Sequence, residues 1–138
     1  MNWYQSYQKN KQKYGNKRTE YNGQIYASGL EASQARELDF RIKAKELKSW
    51  DRQVRFEFWL IKKNKNWVLM DKKPENAMQA IKLTTYILDF IAYRTDGKKE
   101  FIETKGDFLS KLPMWKMKWR LLEAAYGDNE KVILRVIK

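Results

Sequence analysis

The chain has 138 residues, 43% hydrophobic and 14% aromatic, with 29 lysines and arginines against 17 aspartates and glutamates and a formal net charge of +12. That is enough apolar material for one domain with a core, and the excess charge suits a polyanionic partner such as nucleic acid. There is no cysteine and no histidine, which excludes disulfides, thiolate and imidazole metal sites, Ser-His-Asp triads and histidine acid–base chemistry. Catalysis would have to rest on carboxylates, lysine, tyrosine or an oxygen-held ion such as Mg²⁺ or Mn²⁺.

Residues 1–17 read as a flexible basic arm, and residues 18–138 as the folded domain. No run is apolar enough to span a membrane or to form the core of a signal peptide, so the expected location is cytoplasmic. Asn22-Gly23 between two short β-prone runs signals a hairpin. "SGLEASQARELDFRIKAKELKSW", 28–50, reads as one helix. Ser28 and Glu31 form a capping box, and Ala35, Leu38 and Ile42 make a core stripe that Glu31 shares.

"VRFEFWLI", 54–61, alternates as a strand. The stretch 62–81 reads as an insertion with a short strand at 67–70 and a basic loop at Pro74. "LTTYILDFIAYR" is a second strand, "TDG" a turn and "KKEFIETKG" a returning strand. A helix then runs from Pro113 to Gly127, with Met114, Met117, Leu121 and Ala124 as core stripe. Trp115, Trp119, Leu122 and Tyr126 form a second stripe, read first as another core or dimer face. "KVILRVIK" closes the chain as a strand. The order αβββαβ predicts a single α/β domain with a mixed sheet flanked by helices.

The turn decides which side chains meet. A three-residue loop, Thr95-Asp96-Gly97, places glycine where a left-handed residue is needed and pairs 94 with 98. Asp89 then lies opposite Glu103, with Cβ atoms roughly 5 Å apart, and Lys105 shares that face. Two carboxylates so close in an apolar strand pair repel unless a cation bridges them. Asp89, Glu103 and Lys105, with Glu31 from the helix start, thus suit metal-assisted hydrolysis of a phosphodiester, the lysine orienting or deprotonating water. Taken singly, Glu31 could be only a cap, Asp89 only a buried acceptor, and Glu103 with Lys105 only an ion pair.

"SGLE", "ILDF" and "ETKG" resemble the motifs of PD-(D/E)XK nucleases, with Asp89 as the aspartate and Glu103-Thr104-Lys105 as the (D/E)XK element. Leu88 stands where that motif often has proline. The chain resembles phage endonuclease I-type junction-resolving enzymes and, over about 13–138, a small phage family of PD-(D/E)XK-like proteins. The resemblance implies the restriction-endonuclease-like core and Mg²⁺-dependent cleavage of DNA, with Mn²⁺ able to substitute. It implies Asp89, Glu103 and the Thr104 carbonyl as metal ligands, Glu31 completing the set and Lys105 orienting water.

The expected function is therefore a phage-type, metal-dependent endonuclease selective for branched DNA such as the Holliday junction, acting as a homodimer. The alternatives are a general, flap or nicking nuclease, and a nucleic-acid-binding protein that no longer cuts. Lys116, Lys118, Arg120 and Trp115 are the candidate DNA contacts on the second helix.

Overall fold

The computed structural model describes residues 17–106 and 109–138. Apart from Lys17, the arm expected over 1–17 lies outside the described residues. Thr19–Tyr21 (β1) and Gln24–Tyr26 (β2) form the expected hairpin, with Asn22 at φ 51° and Gly23 at φ 79°. Two positive φ values in a two-residue loop match the twist of the flanking strands. Gly29–Lys43 is α1. The main sheet holds Leu47–Lys63 (β3), Asn66–Met70 (β4), Ala80–Arg94 (β5), Lys99–Thr104 (β6) and Val132–Ile137 (β7), in the order β4-β3-β5-β6-β7. β6 and β7 run parallel and the other neighbours antiparallel. A parallel pair needs a crossover, and Pro113–Tyr126 (α2) supplies it after a short 3₁₀ turn at Leu109–Lys111. The result is an α/β fold with a mixed sheet and two helices, in which β4 gives the 62–81 segment its strand. No described helix is long and apolar enough to cross a membrane.

Each helix covers one face of the sheet. Ala32, Ala35 and Leu38 of α1 pack with Tyr26, Leu47, Phe90, Ala92 and Ile102. Trp119 and Leu122 of α2 pack with Phe56, Phe58, Tyr86, Leu88, Ile91 and Phe101, and Trp115 and Tyr126 border this cluster. The stripe predicted as the core of α2 is therefore corrected. Met114 and Met117 are each 63% exposed, while the tryptophan stripe faces the sheet. Rings bury more apolar area than methionines do, and the helix turns its larger apolar face inward.

The first helix is shorter than predicted. It stops at Lys43, and Lys48, Ser49 and Trp50 belong to β3. Glu46 N–H donates to the Arg41 carbonyl and Lys45 N–H to that of Ile42, both at 3.0 Å, which is a Schellman stop. Its left-handed residue is Lys45, at φ 63°, in the place usually held by glycine.

The β5–β6 turn has the predicted length. Arg94 N–H donates to the Lys98 carbonyl at 2.9 Å, Gly97 N–H donates to Arg94 at 3.2 Å, and Gly97 sits at φ 91°. Ladder pairs Tyr93–Lys99 through Phe90–Ile102 keep the expected register. No atom lies within 4 Å of where a Cβ would stand on Gly97, so only backbone strain opposes a side chain there. Gly97→Ala is expected to cost about 1 kcal/mol, read by chemical denaturation with unchanged cooperativity. Gly127 caps the end of α2 as predicted, though not through a left-handed turn. Its φ is an ordinary −59°, but a Cβ would lie 2.5 Å from the Glu123 carbonyl oxygen.

Candidate active site

The start of α1 delivers the first acid. Ser28 Oγ accepts the Glu31 amide at 3.1 Å, half of the expected capping box. The Ala27 backbone favours the charged form of the Glu31 carboxylate. The Glu31 side chain is buried, and Arg52 of β3 reaches to 3.7 Å from its Oε1. The Arg52 guanidinium lies 4.4 Å from the centre of the Tyr26 ring, which holds it in place.

The second and third acids meet where the sheet is irregular. Between the pairs Arg52–Phe90 and Val54–Leu88 the β3–β5 ladder skips Gln53 and Asp89, and Gln53 has φ 51°. Phe90 and Ala92 face α1, whereas Leu88 and Tyr86 face α2, so β5 changes face at Asp89. The β5–β6 ladder also ends there. Continued register would turn the Thr104 amide to Leu88. Instead it donates to Asp89 Oδ2 at 2.9 Å, and Thr104 Oγ1 donates to the same oxygen at 2.7 Å. One carboxylate oxygen thus replaces a strand carbonyl.

Glu103, 2% exposed, accepts a short hydrogen bond from the Tyr86 hydroxyl at Oε2 and has Lys105 Nζ 3.5 Å from Oε1. Burial, and then the charge of Asp89, push the Glu103 carboxyl up to about 8, so it holds a proton at neutral pH. Burial and the same aspartate raise Glu31, with Arg52 pulling the other way. Glu100, three residues earlier on β6 and equally buried, behaves oppositely. Burial works against its charge, yet Arg41 and Arg135, at 3.0 and 2.7 Å, hold it below its ordinary value. Glu100 is a paired structural anion. Glu103 is raised by burial and a neighbouring carboxylate inside a cleft-side cluster, the combination found at functional sites.

Lys17, Gly29, Glu31, Asp89, Thr104 and Lys105 line a cleft of about 470 Å³, with Glu103 buried beneath it. The structure thus brings Glu31, Asp89, Thr104 and Lys105 together and places Glu103 in contact with two of them. Among the described residues no group of three or more acidic side chains is arranged to hold a metal ion. The donor chemistry nevertheless fits a hard cation. The charge of Asp89 acts directly on Glu103, and two carboxylates so placed are oxygen donors that would suit a divalent ion.

None of the candidate DNA contacts lines the cleft. Lys116 and Arg120 are exposed on the outer face of α2, and Arg120 pairs with Glu123 at 3.1 Å. Lys118 is half-buried. Trp115 stacks on Trp119, with ring centres 5.9 Å apart, and its indole nitrogen is buried without a hydrogen-bond partner. Sequence patterning missed Tyr86, Arg52, the Thr104 hydroxyl and Lys17 as members of the site. The sheet register, taken one strand further, would have pointed to Arg52. Nothing local marks Tyr86.

No curated protein and no solved structure matches the chain. The model of one family, described as "Protein of unknown function (DUF1064)", matches residues 11–138, and the chain belongs to that family.

Proposed function

We propose that this protein is a metal-dependent DNA endonuclease on the PD-(D/E)XK core, hydrolysing phosphodiester bonds with selectivity for branched DNA. The observation that carries this reading is the convergence of Glu31 from α1, Asp89 from β5, and Glu103 with Lys105 from β6 and its end on one cleft. With β4 set aside as the insertion, the elements from α1 to β7 follow the order αβββαβ, and these are the acids and the lysine of the resemblance stated above.

Asp89 and Glu103 are the residues to hold Mg²⁺ or Mn²⁺, with the Thr104 carbonyl and Glu31 beside them. When bound, the ion would polarise a phosphodiester and offset the charge that develops in its transition state. The chain's own groups do the rest. Thr104 fixes Asp89 through two hydrogen bonds to one oxygen. Glu103 would have to give up its proton to hold an ion, which would couple metal affinity to pH. Lys105 donates to a water or phosphate oxygen in the cleft and keeps Glu103 partly neutralised. Lys17 at the rim, and Lys116, Lys118 and Arg120 on α2, provide positive charge for the DNA backbone. Paired cuts in a four-way junction need two such sites, hence a homodimer.

One observation favours a second reading, a DNA-binding protein that does not cut. Glu103 is protonated and its Oε2 is already engaged by Tyr86. Labelled four-way junction, flap, single-stranded and linear duplex DNA, incubated with Mg²⁺ or EDTA, separate the two. The expected result is paired symmetrical cuts in the junction, lost in EDTA. Equal cutting of all four substrates would leave a nuclease without junction selectivity. Salt-sensitive binding with no cutting under Mg²⁺ or Mn²⁺ would establish the second reading.

A further inference from the structure

Tyr86 belongs to the opposite layer from α1 and is 4% exposed, and its hydroxyl donates to Glu103 Oε2. The two residues come from neighbouring strands, at the point where the β5–β6 ladder has ended. Glu103 is thereby divided. Oε2 is tied to the phenol, and Oε1 is the oxygen on the Lys105 side, 3.5 Å from Nζ. Asp89 is divided in the same way, since Thr104 takes Oδ2 with both its amide and its hydroxyl. The geometry points to Tyr86 as a positioning residue that locks the Glu103 carboxylate, leaving Oε1, on the Lys105 side, as the oxygen that would hold a cation. This inference rests on the metal-site reading above.

A buried phenol needs a hydrogen-bond partner in any case, so a merely structural tie is the competing account. Two details favour positioning. Among the described residues, the phenol spends its bond on the one buried acid with no arginine beside it, and a fixed carboxylate gives up less rotational freedom when it takes an ion. The β5 change of face at Asp89 is also what brings Tyr86, three residues away, under Glu103 instead of on the α1 side.

The test is Mn²⁺ binding by the full chain without DNA, read as free Mn²⁺ in electron paramagnetic resonance, with thermal unfolding followed in parallel. Tyr86→Phe is expected to weaken Mn²⁺ binding about 10-fold. Ile61→Val, a buried change remote from the cleft, should lower thermal stability while leaving Mn²⁺ affinity as in wild type. In a Glu103→Ala background, Tyr86→Phe should have no further effect on affinity, because the phenol acts through that carboxylate. If Asp89→Asn loses Mn²⁺ while Tyr86→Phe retains wild-type affinity, the positioning role is overturned and the metal site stands. An undiminished effect of Tyr86→Phe without Glu103 would also overturn it. If Asp89→Asn binds Mn²⁺ as well as wild type does, the metal-site reading fails and the role of Tyr86 fails with it.

Discussion

Asp89→Asn is expected to lower Mg²⁺-dependent cleavage by on the order of 10³-fold, about 4 kcal/mol of transition-state stabilisation, with DNA binding retained. The substitution keeps the shape of the side chain and one carbonyl oxygen. That oxygen can still accept from the Thr104 amide and hydroxyl, the two bonds that replace strand pairing at the end of β5. What it removes is the charge. Asp89 is the acid common to the site, since its field raises both Glu31 and Glu103. Losing it relieves that repulsion, so Asp89→Asn should be at least as stable as the metal-free wild type. A buried structural carboxylate would behave otherwise, because removing a paired charge usually destabilises. The decisive measurement is therefore a pair: cleavage rate at saturating Mg²⁺, and unfolding free energy in EDTA. A loss of activity accompanied by a loss of stability would assign Asp89 to the fold. The salt dependence of DNA affinity should not change, because the substitution removes none of the lysines and arginines proposed to contact phosphates.

The geometry of the candidate site was legible where it depends on short-range rules. Gly97 as the third residue of a tight loop fixes the β5–β6 register, and the register brings Asp89 and Glu103 together. Ser28 fixes the start of α1 and so the position of Glu31. What could not be read depends on partners distant in the chain. Lys45 takes a left-handed conformation that its side chain does not advertise, so the helix seemed to run on through Trp50. Two apolar stripes compete on α2, and only the aromatic floor of Phe56, Phe101 and Tyr86 decides that the tryptophans face it. The face change at Gln53 and Asp89 breaks strict alternation in two strands at once. It is this irregularity that puts Tyr86 against Glu103, and no periodic pattern can signal it.

The same buried acid predicts how the metal-free protein responds to pH. The Glu103 carboxyl is raised from an ordinary 4.5 to about 8 by burial and then by Asp89, and Glu31 is raised by the same two causes. A raised acid holds its proton more tightly folded than unfolded. Its stabilising effect is complete below the unfolded value and is lost as pH climbs through the folded one. In EDTA the unfolding free energy should therefore fall between about pH 5 and 8, by on the order of 2–4 kcal/mol. Glu57, Asp96 and Glu100 are shifted down, so their contributions fade only as pH falls below the usual carboxylate range and leave this window untouched. With no histidine in the chain, the side chain that ordinarily titrates there is absent, and the slope reports on the shifted acids. Denaturant unfolding at several pH values is the measurement, repeated with Glu103→Gln, in which most of the slope should vanish. Mn²⁺ should restore stability most strongly at the alkaline end, because there it no longer competes with the proton. A flat profile in wild type would mean that Lys105, 3.5 Å away, suffices to keep Glu103 charged, and that the site is poised for a cation without first giving up a proton.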